Sequence, residues 1–434
     1  MFVVAMHTAL TPSSPESVLA YIGPGTDIIV PLANGEPTAV LDAIEAAAAD
    51  ESSSTLAEVK VHQMHALHDR PYLAGDHGTR LRHLSYFLSH ITRAHFARGT
   101  VDLVPCHFSD VYELMRARTS DPLIIAAASP PDQHGYFSLG VSADYTSSFI
   151  GRGRFFLEVT DAMPRTFGRN QLHVSQVVGW CRSDRPLVQV PPRKPDTLDH
   201  AIAALVAERI ADGSTLQTGI GAIPNAIMAA LMNHRDLGIH TELLSDGVVD
   251  LVEAGVVNGV RKGLNRTKTV GTFALGTDRL HDFLHENTAV ELWPVRYVNS
   301  AEIIGRERGF VSINATLSVD FFGQCASETI DGRYISSSGG QSDFARGAMI
   351  SQDGQGFVVL HSTTSSGRSR IVPQLAMGEV VTTMKNTVDK VVTEYGVAEL
   401  RSRTICERTH ALIAVAHPDH REQLKDEAAR LGYW

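Results

Sequence analysis

The sequence predicts an α/β protein of two domains, each built on a largely parallel sheet. Three observations lead there. Apolar strand-like runs alternate with helix-period segments along the whole chain. A proline-rich, mixed-charge stretch, VPPRKPDTLD at Val190–Asp199, interrupts that alternation. The 434 residues also exceed the size at which one hydrophobic core keeps growing. The expected division is a domain over residues 1–190, a linker over 191–199 and a second domain over 200–434.

In the first part, TDIIVPLANG (26–35) is a short strand ending in a turn. PTAVLDAIEAAAA (37–49) is a helix with Pro37 near its first turn, where a missing N–H leaves no bond unmade. TLAEVKVHQ (55–63) reads as a strand, and LRHLSYFLSHITRAHFARG (81–99) as a helix stopped by Gly99. VDLVPCHFSD (101–110) and DPLIIAAASPPDQHG (121–135) each read as a strand running into a loop. The linker leads to Asp199, placed ahead of the periodic helix HAIAALVAERIADG (200–213). STLQTGIGAIPNAIMAALM (214–232) is strand, glycine loop, helix. HTELLSDGVVDLVEAG (240–255) follows, with TKTVGTFALGT (267–277), VSINATLSVDFFG (311–323) and GFVVLHSTT (356–364) as further strands. Parallel strands linked by helices imply sheets covered on both faces.

Composition narrows the function classes. Hydrophobic residues at 43% and charged residues at 20% describe an ordinary globular chain. A net charge of −10 without Lys/Arg clusters argues against nucleic acid and anionic membrane surfaces. No uninterrupted apolar stretch is long enough to span a bilayer, and the opening MFVVAMHTAL lacks the basic flank of a signal peptide. Cys106, Cys181, Cys325 and Cys406 lie far apart, without CxxC spacing, and read as reduced, mostly buried thiols. The expected setting is the cytoplasm and the expected partners are small molecules.

Three segments can carry chemistry. In TGIGAIPNAI (218–227), Gly219 and Gly221 free the backbone ahead of a helix, where N–H groups can receive an anion or an oxyanion. The alternative is a tight turn; the pattern is neither GxGxxG nor a Walker A loop. In GIHTELLSDGVVD (238–250), Glu242 sits among apolar residues and before a Ser-Asp-Gly turn. A solvated acid at a strand end is the plain alternative. In SSSGGQSDFARGA (336–348), serines and glycines make a backbone-exposed loop that either polarises a carbonyl or is a flexible surface turn. His62, His65 and His68 drift around a helix and alternate faces on a strand, so they read as packing or surface residues, not as a zinc set. There is no G-x-S-x-G elbow and no cysteine nucleophile signature, which leaves a carboxylate as the nucleophile to consider.

Taken in order, these segments resemble the acetyl-CoA hydrolase/transferase family, the class I CoA-transferases. The residues that carry the resemblance are SPPDQHGYFSLG (129–140), MPRTFG (163–168), LQTGIGAIPNAI (216–227), LGIHTELLSDGVVDLVEAGVVNG (237–259), YVNSAEIIGRERGFVSINA (297–315), GGQSDFARGA (339–348), SRIVP (369–373) and VVTEYGVAEL (391–400). The likeness is closest to the 4-hydroxybutyrate and butyryl-CoA:acetate branch. It implies two related α/β domains with the active site between them, and a homodimer. It implies a catalytic role for Glu242, with Gly340 and Asn299 beside it. Contacts to CoA would come from Gly219, Ile220, Gly221, Ala222 and Ile223, from Thr316 and Leu317, and from Gly340. Gln217 is a further expected pocket wall. SINATLSVD (312–320) departs from the SINSAIEVD of many relatives, which bears on CoA contacts nearby.

The resemblance also implies a reaction. Glu242 attacks an acyl-CoA, CoA is transferred to the glutamyl carbonyl, and a second carboxylate then collects it in a ping-pong cycle. Acyl-CoA is a substrate here; no metal and no permanently bound cofactor is implied. The rivals are an acyl-CoA hydrolase on the same fold, in which water replaces the second carboxylate, and a non-catalytic acyl-CoA-binding protein.

Overall fold

A computed structural model describes residues 11–50 and 56–434. The apolar start at 1–10 and residues 51–55 of the polar stretch DESSST (50–55), whose composition suggests a turn, lie outside the described residues. The chain forms two compact units. The first comprises the described residues up to Pro105 with Asp110–Gln189 and His281–Pro294; the second comprises Cys106–Ser109, Val190–Leu280 and Val295–Trp434. Residues 281–294 join the first unit because their strand pairs in parallel with Phe167–Gly168, Glu291 opposite Phe167.

The first unit is built on seven strands: β1 (Asp27–Ile29), β2 (Val59–Gln63), β3 (Leu81–Ser85), β4 (Val101–Leu103), β5 (Leu123–Ala128), β6 (Arg154–Val159) and β7 (Val177–Arg182). Their order is β7-β6-β5-β1-β2-β3-β4. Every pairing is parallel. All six residues of β5, LIIAAA, are buried, as expected for a strand covered on both faces. Helix α1 (Thr38–Ala49) turns Val40, Leu41, Ile44 and Ala48 into a cluster with Ile28, Val61 and Ile125. The segment 81–99 departs from expectation. It is strand β3 followed by a short helix, Thr92–Ala97, and not one helix. Leu81, Leu84 and Leu88 fit a helical stripe, but pairing with β2 and β4 on both sides decides for the strand.

The second unit holds β8 (Thr215–Thr218), β9 (Gly238–Ile239), β10 (Leu243–Leu244), β11 (Phe273–Ala274), β12 (Phe310–Ala315), β13 (Gln355–Val359), β14 (Lys390–Thr393) and β15 (Gly396–Glu399). The six-stranded sheet runs β9-β8-β12-β13-β14-β15. Its pairings are parallel except β14 with β15. The carboxyl ends of β8, β9 and β12 therefore share one edge, where open α/β sheets assemble their sites. On one side Leu412, Ile413 and Val415 of α6 (Ile405–Val415) and Leu424 and Ala428 of α7 (Pro418–Leu431) pack on Val358, Leu360 and Val391.

Helix α2 (Thr197–Ala207) starts earlier than expected. Asp196 is its N-cap, accepting from the N–H groups of Leu198 at 2.8 Å and Asp199 at 2.9 Å. Asp199 lies in the first turn and accepts in return from the Asp196 N–H at 2.8 Å, a capping box built from two aspartates. Asp196→Ala leaves two N–H groups without their acceptor. Amide exchange across 197–200 is expected to quicken by roughly fivefold. Hydrogen-exchange mass spectrometry checks this, with peptides from the first unit unchanged.

Candidate active site

The site is assembled in the second unit from the run that follows β9. Beyond Ile239 the chain leaves the six-stranded sheet. The Thr241 N–H donates to Val270 O at 3.0 Å, and the Glu242 carbonyl accepts from the N–H groups of Thr272 at 3.0 Å and Phe273 at 3.1 Å. The Thr241 hydroxyl donates to Thr218 O at 3.1 Å and lies 3.3 Å from the Thr218 N–H. One residue before Glu242 is thus tied to the last residue of β8, directly ahead of the glycine loop. Backbone and neighbour both fix where the Glu242 side chain begins.

The expected Ser-Asp-Gly turn is the start of a helix. Ser245 is the N-cap of α4 (Asp246–Glu253). The Asp246 carboxylate accepts from the Thr277 N–H at 3.1 Å and from the Thr277 hydroxyl. An acid in the first turn also complements the helix dipole. The turn residues hold the next helix in place and do not contact the Glu242 carboxylate.

The carboxylate of Glu242 meets groups from two other segments. Asn299 Nδ2 donates to Oε2 at 2.8 Å. Asn299 is fully buried and follows a helical turn at Val295–Val298, its own N–H bonded to Val295 O at 2.8 Å. The Gly340 N–H also donates to Glu242. Gly340 is the N-cap of α5 (Gln341–Ile350), so SSSGGQSDFARGA is not a loop throughout. Its helix opens directly after the glycine pair. A Cβ on Gly340 would land on Glu242 Oε2 and Asn299 Nδ2, so only glycine lets the backbone come this close. The loop is anchored by Ser338 Oγ donating to Cys106 O at 2.7 Å and by the Phe108 N–H donating to Gly339 O at 3.0 Å. Ser109 donates to Asp343 through its hydroxyl at 2.8 Å and its N–H at 3.2 Å.

Burial pushes the Glu242 carboxyl up to about 7 from its ordinary 4.5. The negative charge of Asp343 adds to the rise, while the donors Asn299 and Gly340 oppose it. The side chain is only half-buried by its own surface, but the protein packed around it removes most of its hydration.

The glycine loop departs from β8 as expected. Gly221 has φ 131° and ψ 178°, a conformation restricted to glycine, and caps helix α3 (Ala222–Ala230). Gly219 has open space where a Cβ would be, so nothing steric demands a glycine there. Ala222 and Ile223 form the first turn of α3, and Ile220 stands 55% exposed at the loop tip. Thr316 and Leu317 follow β12 at the same sheet edge. Thr316 Oγ1 donates to Ala326 O at 2.9 Å, and the Leu317 carbonyl accepts from Arg370 at 3.3 Å.

Gln217 bonds its strand neighbours. It is buried within β8, and its amide bonds the Ile313 backbone (3.2 Å to the N–H) and Asn314. It braces neighbouring strands. The three histidines of VHQMHALHD diverge. His62 bonds Tyr86 OH at 2.9 Å and Asp27 at 3.0 Å, His68 lies 3.3 Å from Glu36, and burial lowers His65 to about 4. Thr241 and Asp343 also belong to the surroundings of Glu242. Both lie in the motif strings, yet only the folded contacts reveal what they touch.

Raising a carboxyl above its ordinary value has a defined sign for stability. Between about 4.5 and about 7 the folded chain keeps a proton on Glu242 that the unfolded chain releases, so this group's contribution falls as pH rises through that window. Glu242→Gln removes the cost of ionisation. Its Tm is expected to exceed that of the parent protein at pH 8, with the gap closing at pH 5; thermal unfolding at the two pH values checks it.

Comparisons with known proteins identify the family. The acetyl-CoA hydrolase/transferase N-terminal domain profile matches residues 12–190, and the C-terminal domain profile matches residues 276–428. Succinyl-CoA:cyclohexane-1-carboxylate CoA transferase of Geobacter metallireducens is 42% identical over 96% of this chain and 95% of its own length. The 4-hydroxybutyrate coenzyme A transferase of Clostridium kluyveri is 39% identical over 95% of this chain and 96% of its own. The crystal structure of RipA from Yersinia pestis superposes with a TM-score of 0.91 at 34% identity, covering 97% of this chain and 98% of that one. The chain belongs to the acetyl-CoA hydrolase/transferase family, as an enzyme of the CoA-transferase type.

Proposed function

We propose that the enzyme moves CoA between a short-chain acyl-CoA and a free carboxylate of the acetate, butyrate or 4-hydroxybutyrate kind, with Glu242 carrying CoA as a glutamyl thioester. The observation that supports this most directly is the Glu242 carboxylate itself, desolvated, held at Oε2 by Asn299 and favoured as an anion by the Gly340 N–H. The free oxygen attacks the acyl-CoA carbonyl carbon. The C–S bond breaks, leaving a mixed acyl-glutamyl anhydride and CoA thiolate. The thiolate attacks the glutamyl carbonyl carbon, and the first acid leaves as its carboxylate. The acceptor carboxylate then attacks the glutamyl thioester, and the released thiolate takes the new acyl group from the second anhydride, restoring Glu242.

The surroundings suit each step. When the thiolate adds to the glutamyl carbon, negative charge collects on Oε2, where Asn299 already points a donor and the carboxylate also has the Gly340 N–H beside it. Converting Glu242 to a neutral thioester ends both its desolvation penalty and its repulsion with Asp343. The loop Gly219–Ile223 offers exposed Ile220 for the pantetheine arm and the open backbone of Gly221 for an acyl oxyanion. Thr316 and Leu317, at the neighbouring strand end, extend that CoA surface. The carboxylates in the relatives' names support an acid acceptor. The four cysteines form no disulfide, in accord with a reducing cytoplasm, and the homodimer carries over from the family likeness.

Two experiments test the reading. Mixed with acetyl-CoA, the protein is expected to gain a CoA adduct by intact mass; Glu242→Ala is expected to show none, and an adduct on that variant would assign the nucleophile elsewhere. Turnover of acetyl-CoA without any acceptor acid would favour hydrolysis over transfer. Separately, Gly340→Ala drives a methyl group into Glu242 and Asn299, so kcat is expected to fall by about 100-fold or more while circular dichroism stays unchanged.

A further inference from the structure

The brace that aims Asn299 has a second member two residues ahead of Glu242. His240 is fully buried, and its Nε2 lies 2.7 Å from the carbonyl oxygen of Val298, the residue before Asn299. A carbonyl only accepts, so Nε2 carries the proton and donates. The other nitrogen, Nδ1, has no hydrogen-bond partner, so the ring makes one polar contact, and that contact is to the Val298 peptide. The ring is locked laterally by Tyr297 and Phe310, both with centroids 6.2 Å away. Burial, and then the charge of Lys262, hold the imidazole neutral by lowering it to about 3. Lys262 is itself placed by bonds at 2.8 Å to Ile239 O and Lys268 O.

Two short chain segments are therefore joined by two bonds that run in opposite directions. His240 donates to Val298, and Asn299 donates back to Glu242. We infer that His240 is a positioning residue for the transfer reaction, holding the Val298–Asn299 peptide so that the Asn299 amide points its donor at Oε2 of Glu242. This rests on Glu242 being the group that carries CoA. Without the imidazole bond the Val298–Asn299 peptide keeps its Asn299 N–H bond to Val295 O but loses the hold on its carbonyl, so the aim of the Asn299 side chain loosens. A small loss of aim at such a donor weakens the stabilisation it gives.

The test compares His240→Leu, which removes the donor, with His240→Gln, whose amide nitrogen reaches as far as Nε2, and His240→Asn, whose amide stops at the position of Nδ1. His240→Leu and His240→Asn are expected to lose about tenfold or more in kcat, with KM for acetyl-CoA changed by about twofold at most. His240→Gln is expected to recover most of the loss. The acid limb of kcat/KM, where Glu242 takes up its proton, is expected to move to higher pH in His240→Leu, because Asn299 no longer favours the charged carboxylate. Asp343 and the Gly340 N–H, the other groups facing Glu242, are unchanged in all three variants. Asn299→Ala is expected to be as impaired alone as in combination with His240→Leu. Additive losses in that double variant, an unmoved acid limb, or a His240→Gln as damaged as His240→Leu would overturn the inference. Should His240→Leu fail to fold, the Gln and Asn pair decides by itself. A CoA adduct lost in Glu242→Ala but kinetically normal in every His240 variant would sink this inference and leave the nucleophile standing.

Discussion

The interaction on which the site depends is a contest over one carboxylate. Burial and Asp343 work against charge on Glu242, and the Asn299 amide and Gly340 N–H work for it. Burial and Asp343 outweigh the donors, pushing the carboxyl up to about 7, so near neutrality the group is shared between its acid and a poorly solvated anion. In the role proposed for it, such an anion attacks more readily than its hydrated counterpart and gains by becoming a neutral acyl derivative. Each donor costs the fold a constraint. Asn299 must be buried at the end of a helical turn, and position 340 must lack a side chain altogether.

The framework around that carboxylate is redundant in its anchoring. Thr241 ties the residue before Glu242 to the end of β8, the Glu242 carbonyl is held by two successive N–H groups, and Asp246 secures the helix that follows. On the other side, Cys106–Ser109 pins the Gly339–Gly340 pair and Asp343. Many bonds to backbone and few to the reactive oxygens give a site whose geometry is set before any ligand arrives, which is what electrostatic stabilisation of an oxyanion requires.

Much of the fold is legible in the sequence because its signals are local. The all-apolar run of β5, the strand–glycine loop–helix at 214–232 and the proline-rich break each carry their meaning within about a dozen residues. Errors arise where local signals are ambiguous. Leu81–Ser85 satisfies two periodicities, and strands β2 and β4 choose between them. The Ser-Asp-Gly and Gly-Gly-Gln segments look like turns because helix starts and turns favour the same residue types. The bonds of Gln217 are not legible in the sequence because a buried polar side chain can serve a strand neighbour as readily as a ligand, and its partners lie about a hundred residues away.

The sequence by itself determined the two-part α/β plan, the family, and the short set of residues around which a transfer mechanism can be written. Those conclusions rest on composition, periodicity and ordered motifs, all of which are written along the chain. Only the tertiary structure decided which groups touch Glu242 and what that does to its charge. Asn299 and Asp343 lie 57 and 101 positions beyond it in sequence, and no spacing rule joins them. Desolvation, the crowding that demands glycine at 340 and the His240 bond to Val298 are properties of space filled by distant segments, so they exist only once the chain has folded.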